Sequence, residues 1–459
     1  MEKTTLELET VTPLFIAGAD QRNIENEGLR APSLRGLLRW WFRALKATDN
    51  LQELKKEESG VFGSTNCKSA VNLMIKVNEI SRIRSLVYKG KLKKYAFKYC
   101  CGEEEILDAT FDSGLRRIEG KDAGICYLFS ILHRPFLDMN SSFTIKLSSF
   151  NREALRKAVA CLWCAVYLGN FGARARRGAG SLTVLSQGTT SDKIRSLTGL
   201  DFILNKDNSK DILDWIMKNL EKAVEIINNG EKPRNFSTGY TNLCFSRMIV
   251  SKNAFDSWKD ALNDIGRVYE KYRFEQRRKK EYLAVAAFGF PIVHGKKFTV
   301  YGKLGKEKIK RRTSPLIFKI YKSNGRYYWG LIRLSGEFLP EGGIITTGKR
   351  TQKPDYKTID DFWNIARKQG YEKVLLTPLV LDEIVNRIKK EVNPRKIVLF
   401  GSRAGGDAHK NADIDLAVDS EKPVMRMDLP ADIIWLKNAS EDVKERINRE
   451  GVVIYERNS

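Results

Sequence analysis

Two amphipathic helices, each between strand-like segments, constrain the fold of the first 190 residues. Thr5 to Thr12 alternates polar and apolar residues, as a half-buried strand does. A helix from an N-cap at Ser33 to about Lys46 and a second from Arg152 to Leu168 repeat apolar residues at helical spacing. Strand-like residues lie between the helices, and Ser181 to Leu185 follows as another strand. This order predicts a ferredoxin-like βαββαβ unit and therefore an α+β fold.

The remaining residues divide into further segments. Strand-like residues 201–204 and two helical segments precede a hairpin, whose Asn324-Gly325 turn joins two alternating runs. This repeated pattern predicts a second ferredoxin-like (RRM-like) unit, followed by a Gly-, Thr-, Lys- and Pro-containing linker. The predicted boundaries are 1–190 for the first unit with an insertion near 82–120, 191–345 for the second unit, 346–375 for the linker and 376–459 for a small α/β domain.

Positive charge is concentrated outside the C-terminal segment. The chain of 459 residues has a net charge of +24. Residues 376–459 contain 14 Lys and Arg against 15 Asp and Glu, a net charge of −1, so residues 1–375 carry +25. A basic region of this size favours a nucleic acid or another polyanion as partner. Solvated basic side chains without a partner are the alternative that charge alone leaves open.

Cysteine spacing, the N-terminal residues and hydropathy argue against a zinc finger, a secreted protein and a membrane protein. Neither Cys161 with Cys164 nor Cys100 with Cys101 has a second pair at zinc-finger spacing. We therefore expect reduced thiols in a cytoplasmic protein. The charged, alternating N-terminal residues do not resemble a signal peptide. Because the chain lacks a run of about 18 apolar residues, we expect no membrane partner.

Arginines occur in two patterns that suit a phosphate chain. Gly172, Gly178 and Gly180 surround the arginines of one loop, where glycine allows close backbone approach and guanidinium groups can bind phosphate oxygens. On the first helix, arginines at i, i+4 and i+8 form a stripe beside a tryptophan that could stack on a base. Tight turns with solvated arginines, and a charged helix face with a core tryptophan, are the alternatives. The predicted RNA-binding residues are Arg35, Arg39, Trp40, Arg43, Arg174, Arg176, Arg177, Lys310, Arg311 and Arg312.

Three motifs in residues 4–345 resemble a known family. Thr12 to Asp20 with Leu29 to Leu45 resembles the opening signature of the first subunit of the Cmr complex, a RAMP-superfamily family of type III-B CRISPR effectors. Gly172 to Leu182 and Arg312 to Leu316 resemble further motifs of that superfamily. The resemblance implies tandem ferredoxin-like folds and a non-catalytic, RNA-binding role in antiviral defence. It also implies contact with the 3′ region of guide RNA and target RNA, and other Cmr-complex subunits as partners. For the two ferredoxin-like units, called the body below, it implies no cofactor.

A guide-processing ribonuclease of the same superfamily is a competing hypothesis. Such enzymes usually place a histidine near the RNA as general base. The chain has only His133, His294 and His409, and none lies beside the Gly/Arg loop in sequence. The sequence therefore favours binding over cleavage.

Carboxylates near the C-terminus suggest a second chemistry. Asp413 and Asp415 lie two residues apart on a predicted strand, so both point to one face. Paired carboxylates can hold Mg²⁺ together with substrate phosphates. Gly401 and Ser402, at the end of the preceding strand, could contact nucleotide phosphates through a hydroxyl and a backbone N–H.

Residues 379–457 resemble a minimal nucleotidyltransferase of the DNA-polymerase-beta superfamily. The resemblance implies Asp413, Asp415 and Asp432 as catalytic metal ligands, Gly401 and Ser402 as nucleotide-binding residues, and Mg²⁺ and ATP as cofactors. Two departures from the pattern are Ala412, where serine is usual, and the 17-residue separation of Asp415 and Asp432, which is short. An inactive docking module and a transferase acting on RNA or protein both stay open. The matching segments are Leu399 to Ala404, Ala412 to Val418, Ala431 to Ile434 and Arg446 to Tyr455.

Overall fold

The computed structural model describes most of the chain. The described residues are 1–16, 24, 29–100, 102–115, 117–130, 132–234, 239–294, 297–405, 408, 412–424 and 429–457. Residues 17–20 of the opening signature and His409 lie outside them. In the part that is described, no helix has the length and apolar character needed to cross a lipid bilayer.

The N-terminal unit has the predicted ferredoxin-like topology. Its antiparallel sheet has the order β2-β8-β1-β9, and α1 and α4 pack together beside it. Helix α1 begins at Ala31 rather than after Ser33, because Pro32 is well tolerated in a first turn whose N–H groups have no helical partner. Numbered in chain order, the elements are β1 (Glu2–Thr10), α1 (Ala31–Lys46), α2 (Leu51–Phe62), β2 (Asn72–Glu79), β8 (Ser142–Ser149), α4 (Arg152–Tyr167) and β9 (Leu182–Leu185).

The insertion in this unit forms a small sheet of its own. The lysine-rich segment is the hairpin of β3 and β4, and the sheet order is β6-β5-β4-β3-β7. Its apolar side belongs to a second core that it shares with the following unit. The inserted elements are β3 (Ile83–Lys89), β4 (Lys94–Tyr99), β5 (Glu104–Asp112), β6 (Arg117–Glu119), α3 (Ala123–Phe129) and β7 (Pro135–Leu137).

The second ferredoxin-like unit spans residues 242–374, so its boundaries differ from the predicted 191–345. Residues 201–204 are not a strand, and the helices α5 (Ser191–Thr198) and α6 (Ser209–Ile227) pack on α4 instead. The sheet order is β14-β15-β10-β18, again that of a βαββαβ unit. The elements are β10 (Asn242–Ser251), α7 (Trp258–Arg278), β14 (Leu316–Ser323), β15 (Arg326–Ser335), α8 (Lys357–Arg367) and β18 (Gly370–Val374).

Residues 346–375, expected as a linker, supply α8 and β18. Strand β18 pairs antiparallel with β10, and α8 buries Phe362 and Trp363 in the core of the unit. Pairing and burial therefore override a local composition typical of loops. A smaller sheet inserted in this unit contains β11 (Ile292–His294), β12 (Phe298–Leu304), β13 (Glu307–Ile309), β16 (Ile344–Thr346) and β17 (Thr351–Gln352).

The C-terminal domain is a four-stranded sheet of order β21-β20-β19-β22, in which β20 and β21 are parallel. Its apolar residues continue the core of the first unit, so it is docked on the body. The elements are α9 (Leu379–Val392), β19 (Lys396–Phe400), α10 (Gly401–Gly405), β20 (Asp415–Asp419), β21 (Asp432–Trp435), α11 (Glu441–Glu450) and β22 (Val452–Glu456).

A buried ion network joins the second unit to the C-terminal domain. Arg247 on β10 lies opposite Arg333 on β15, and both pair with Asp360 of α8. Arg247 also contacts Glu372, with 3.7 Å between nitrogen and oxygen. Arg333 donates a second hydrogen bond to the carbonyl oxygen of Gly405 in α10. Because the side chains are almost fully buried, these bonds fix the position of α10 against the body.

Candidate functional site

The Gly/Arg loop, residues 170–180, is held between the two ferredoxin-like units. The Asn170 amide donates to the carbonyl oxygens of Ala175 within the loop, at 2.6 Å, and of Phe318 on β14, at 2.7 Å. The Ser181 hydroxyl donates to Asn170 Oδ1 at 2.7 Å and accepts from the backbone N–H of Ile320. These bonds fix the loop relative to both units.

Gly180 closes the loop in a backbone conformation that requires glycine. Its φ is +72°, and an added Cβ would overlap the carbonyl oxygen of Phe171. The Gly180 N–H donates to the carbonyl oxygen of Pro13 at 2.9 Å, and the Gly180 carbonyl accepts from Phe171 N–H at 2.9 Å. Gly180 therefore brings two segments of the protein together, whereas the predicted approach of the loop backbone to a phosphate chain stays a prediction.

Two of the loop arginines, Arg174 and Arg177, form a cluster of positive charge with Arg134, whereas Arg176 lies close to Arg312. Among the described residues, Arg134, Arg174, Arg176 and Arg177 have no carboxylate partner, and each has a buried nitrogen without a hydrogen bond. Burial, helped by Arg177 and Arg134, lowers the pKa of Arg174. Burial and the nearby Arg312 lower the pKa of Arg176 to about 10. An anion bound beside these guanidinium groups would compensate their charge.

Trp40, Arg176 and Arg312 come together from three separate segments. The Arg176 guanidinium lies 5.2 Å from the centroid of the Trp40 ring. Arg312 is fixed by hydrogen bonds to the carbonyl oxygens of Glu337 at 2.8 Å and Phe338 at 3.0 Å. Three of the predicted RNA-binding residues therefore share one surface.

The arginine stripe on α1 is directed largely into the protein. Arg39 and Arg43 both pair with Glu58 of α2, at 3.3 and 3.2 Å, and Arg39 also donates to the carbonyl oxygens of Phe62 and Gly63. These bonds give the two arginines a structural role in joining α1 to α2. RNA contact by Arg35, Arg39 and Arg43 stays a prediction.

Other predicted residues lie at the edge of this surface, and one further residue was missed. Lys310 and Arg311 are exposed between β13 and β14, next to Arg312. Arg134 precedes β7 and belongs to no motif, so only the tertiary fold brings it to the loop. The neighbouring His133 lines a separate cavity with Arg84 and Tyr99.

The C-terminal carboxylates surround the start of α10. Asp415 and Asp432 lie directly opposite each other on parallel strands. Burial raises the pKa of Asp415, and Asp432 and Asp413 raise it further, whereas Arg446 opposes the shift. Gly401 has φ +76° and lies against the Asp415 carboxylate, so a side chain there would collide with it. The Gly401-Ser402 segment therefore lies beside the Asp415 carboxylate, and its contact with a nucleotide stays a prediction.

Arg446 and Glu450 complete this site. Arg446 Nε donates to Glu450 Oε1 at 2.6 Å, and the same oxygen accepts from Gly401 N–H at 3.1 Å. The two residues lie at i and i+4 on α11, a spacing that predicts their ion pair but not its contact with Gly401. The pair therefore anchors the segment expected to hold nucleotide phosphates.

Two of the three C-terminal carboxylates have an arrangement that fits Mg²⁺, the metal that the resemblance implies. No group of three or more metal-ligating side chains occurs within the described ranges. Asp415 and Asp432 alone fit Mg²⁺, which commonly uses one or two carboxylates together with waters and substrate phosphates. Asp413 is exposed two residues earlier, at the entrance to this pair.

Comparisons with known proteins match both parts of the chain. The RAMP superfamily model matches residues 7–183, and the model described as polymerase beta, nucleotidyltransferase, matches residues 382–459. The CRISPR system Cmr subunit Cmr1-2 of Pyrococcus furiosus is 37% identical over 190 residues, covering 40% of this chain and 96% of that protein. Cmr subunit Cmr1-1 of the same organism is 29% identical over 343 residues, covering 73% and 88%.

A solved structure supports the same fold. The apo crystal structure of Cmr1 from Pyrococcus furiosus superposes with a TM-score of 0.52 at 22% sequence identity. The match covers 82% of this chain and 99% of the solved chain. At this identity the likeness establishes the arrangement of helices and strands alone.

Proposed function

Because the chain belongs to the Cmr1 family of the RAMP superfamily, we propose that it is a non-catalytic RNA-binding subunit of a type III-B CRISPR ribonucleoprotein. Its partners are the guide RNA and target RNA, contacted near their 3′ regions, and other Cmr-complex subunits. The role is in cytoplasmic antiviral defence. The observation that carries the RNA contact is the cluster of arginines around the Gly/Arg loop, which has no acidic partner among the residues described.

The geometry supports a sequence-independent grip on the RNA backbone. Arg174, Arg176 and Arg177 come from a loop fixed to both units, so their guanidinium groups are ordered before RNA arrives. Arginine forms paired hydrogen bonds with phosphate oxygens, and an ordered loop loses little entropy on binding. The loop offers no histidine for cleavage, which favours binding without chemistry.

Replacing Arg174, Arg176 and Arg177 together by glutamine tests this function. If each arginine contacts one phosphate, the slope of the logarithm of the RNA-binding constant against the logarithm of the salt concentration should become smaller in magnitude by about 2. Affinity at physiological salt should fall by about 100-fold. Filter binding or fluorescence anisotropy over a salt series measures both quantities.

The matched control removes the same charge from the insertion hairpin. Lys91, Lys93 and Lys94 are exposed there, and their replacement by glutamine should leave most of the affinity intact. Equal losses in the two triple variants would contradict a specific role for the loop. Unchanged affinity and salt dependence in the arginine variant would remove the proposed RNA site altogether.

Nucleotidyl transfer by the C-terminal domain is a second candidate function. It is favoured by the adjacent Asp415 and Asp432 and by Gly401 beside them. When bound, Mg²⁺ would stabilise negative charge on nucleotide phosphates. Asp415 and Asp432 would hold the ion, while the Ser402 hydroxyl would orient the phosphates, because the Gly401 N–H is already bonded to Glu450. RNA held by the body, or protein, would be the acceptor.

Labelled ATP with Mg²⁺ distinguishes this enzyme from a docking module. The transferase function predicts label on RNA or protein that is lost in Asp432→Ala, which removes one of the two carboxylates that would hold the ion. Asp419→Ala, at the far end of β20, is the control and should retain transfer. Absence of label in the unmodified protein, with and without RNA, would reject the second candidate and leave the RNA-binding function untouched.

A further inference from the structure

We propose that the cavity beside Trp40 binds one unstacked nucleotide of the RNA, an inference that rests on the RNA-binding function above. The cavity has a volume of about 620 Å³ and lies where α1 and α2 meet the second ferredoxin-like unit. Trp40, Arg43 and Arg312 are among the residues that line it. The volume is sufficient for a single nucleotide.

The walls of this cavity present aromatic and apolar surface. Its lining includes Trp40, Leu54, Tyr240, Ile309 and Phe338. Aromatic rings are the usual platform for an unpaired base, and stacking needs no particular base sequence. The cavity is therefore suited to the planar part of a nucleotide.

Two of the aromatic groups are held in position before any ligand binds. The Tyr240 hydroxyl accepts from Thr48 N–H at 3.0 Å and lies 3.1 Å from the Thr48 carbonyl oxygen, to which it donates. Trp40 carries the Arg176 guanidinium over its ring and packs edge-on against Trp41, with 4.8 Å between ring centroids. A base entering the cavity therefore meets a preformed surface.

Charge at the cavity favours a nucleotide over an apolar protein segment. Arg312 uses its nitrogens on two carbonyl oxygens and the Thr241 hydroxyl, and it has no carboxylate partner in the described part of the chain. Arg312 lines the cavity, so its charge would attract a phosphate. Asp49 also lines the cavity, and its carboxylate is an acceptor that suits the N–H groups of a base. Apolar walls combined with cations match a base attached to a phosphate.

The test compares a short unstructured RNA oligonucleotide with an all-abasic ribose-phosphate oligonucleotide of equal length. Both carry the same phosphates, so the ratio of their dissociation constants isolates the contribution of the bases. The full-length protein should prefer the RNA by roughly ten-fold or more. Trp40→Ala should remove most of that preference, and Trp40→Phe should retain most of it.

Two further variants distinguish a loss of base binding from a loss of the folded structure. Phe150→Ala alters a side chain that is 88% exposed and outside the cavity, and it should leave the ratio unchanged. Leu51→Trp adds bulk at the cavity rim, where the native leucine is exposed, and should lower the ratio as Trp40→Ala does. Melting curves of all variants identify any loss of folding.

The outcomes separate this proposal from the function on which it rests. If the unmodified protein binds neither oligonucleotide, the RNA-binding function itself fails. If it binds both equally, or if Trp40→Ala and Leu51→Trp leave the ratio unchanged, RNA binding stands and the nucleotide cavity is rejected. The second result would also be obtained if the occupant were a segment of another protein.

Discussion

Asp360→Asn is expected to lower the free energy of unfolding by about 3–5 kcal/mol, the usual cost of breaking a buried ion pair. The change preserves size but removes the charge that Arg247 and Arg333 share. Arg247 would then keep only Glu372, and Arg333 would lose the carboxylate with which it pairs among the described residues. Burial and Arg333 already lower the pKa of Arg247 to about 10, and Glu372 and Asp360 oppose that shift.

Asp361→Asn is the matched control, because it alters the neighbouring residue on α8, which is only partly buried. Differential scanning calorimetry should show a clear fall in melting temperature for the Asp360 variant and little change for the control. Since Arg333 also binds the carbonyl oxygen of Gly405, proteolysis of the C-terminal domain should become faster. Equal stability of the two variants would contradict a structural role for the network.

Gly180→Ala is expected to disrupt the Gly/Arg loop and to lower RNA affinity as strongly as removal of its three arginines. The left-handed conformation alone costs a non-glycine residue about 1–3 kcal/mol. The added methyl group would also overlap the Phe171 carbonyl, so the backbone must move. That movement would displace Arg176 from Trp40 and from Arg312, although every arginine is still present.

Gly36→Ala provides the comparison, since its position on α1 has open space around it and an ordinary backbone conformation. Alanine in a helix is favourable, so this variant should match or slightly exceed the parent in stability. Melting temperature and RNA affinity measured in parallel separate the two glycines. Full RNA affinity in Gly180→Ala would show that the arginines act without an ordered loop.

The spacing of apolar residues predicted the helices and strands that bury one face and expose the other. The first unit and the Asn324-Gly325 hairpin, whose two turn residues both have positive φ, were predicted correctly. Strand β10 was missed because it is buried along its whole length and carries Asn, Ser and Arg among its apolar residues. Its neighbour β18 was missed because pairing with β10, rather than local sequence, makes it a strand.

The candidate sites show the same division between local and tertiary information. The glycines of the loop and the Asp415 segment follow local motifs, so the sequence identifies these segments, whereas their contacts with RNA or a nucleotide stay predictions. The direction of Arg39 and Arg43 could not be predicted, because their partner Glu58 lies on another helix. Helical spacing identifies a face, but it does not state what packs against it.

The connection between β18 and the C-terminal domain determines how that domain can act. Only residues 375–378 separate β18 from α9, and Leu375 N–H donates to the Ser246 carbonyl oxygen at 2.7 Å, continuing the strand. A long flexible linker lets a fused domain move through a volume that the linker length determines. This short, hydrogen-bonded connection allows the C-terminal domain almost no such movement. The C-terminal domain therefore keeps one position relative to the two ferredoxin-like units. Any substrate or partner that it contacts has to reach it at that position.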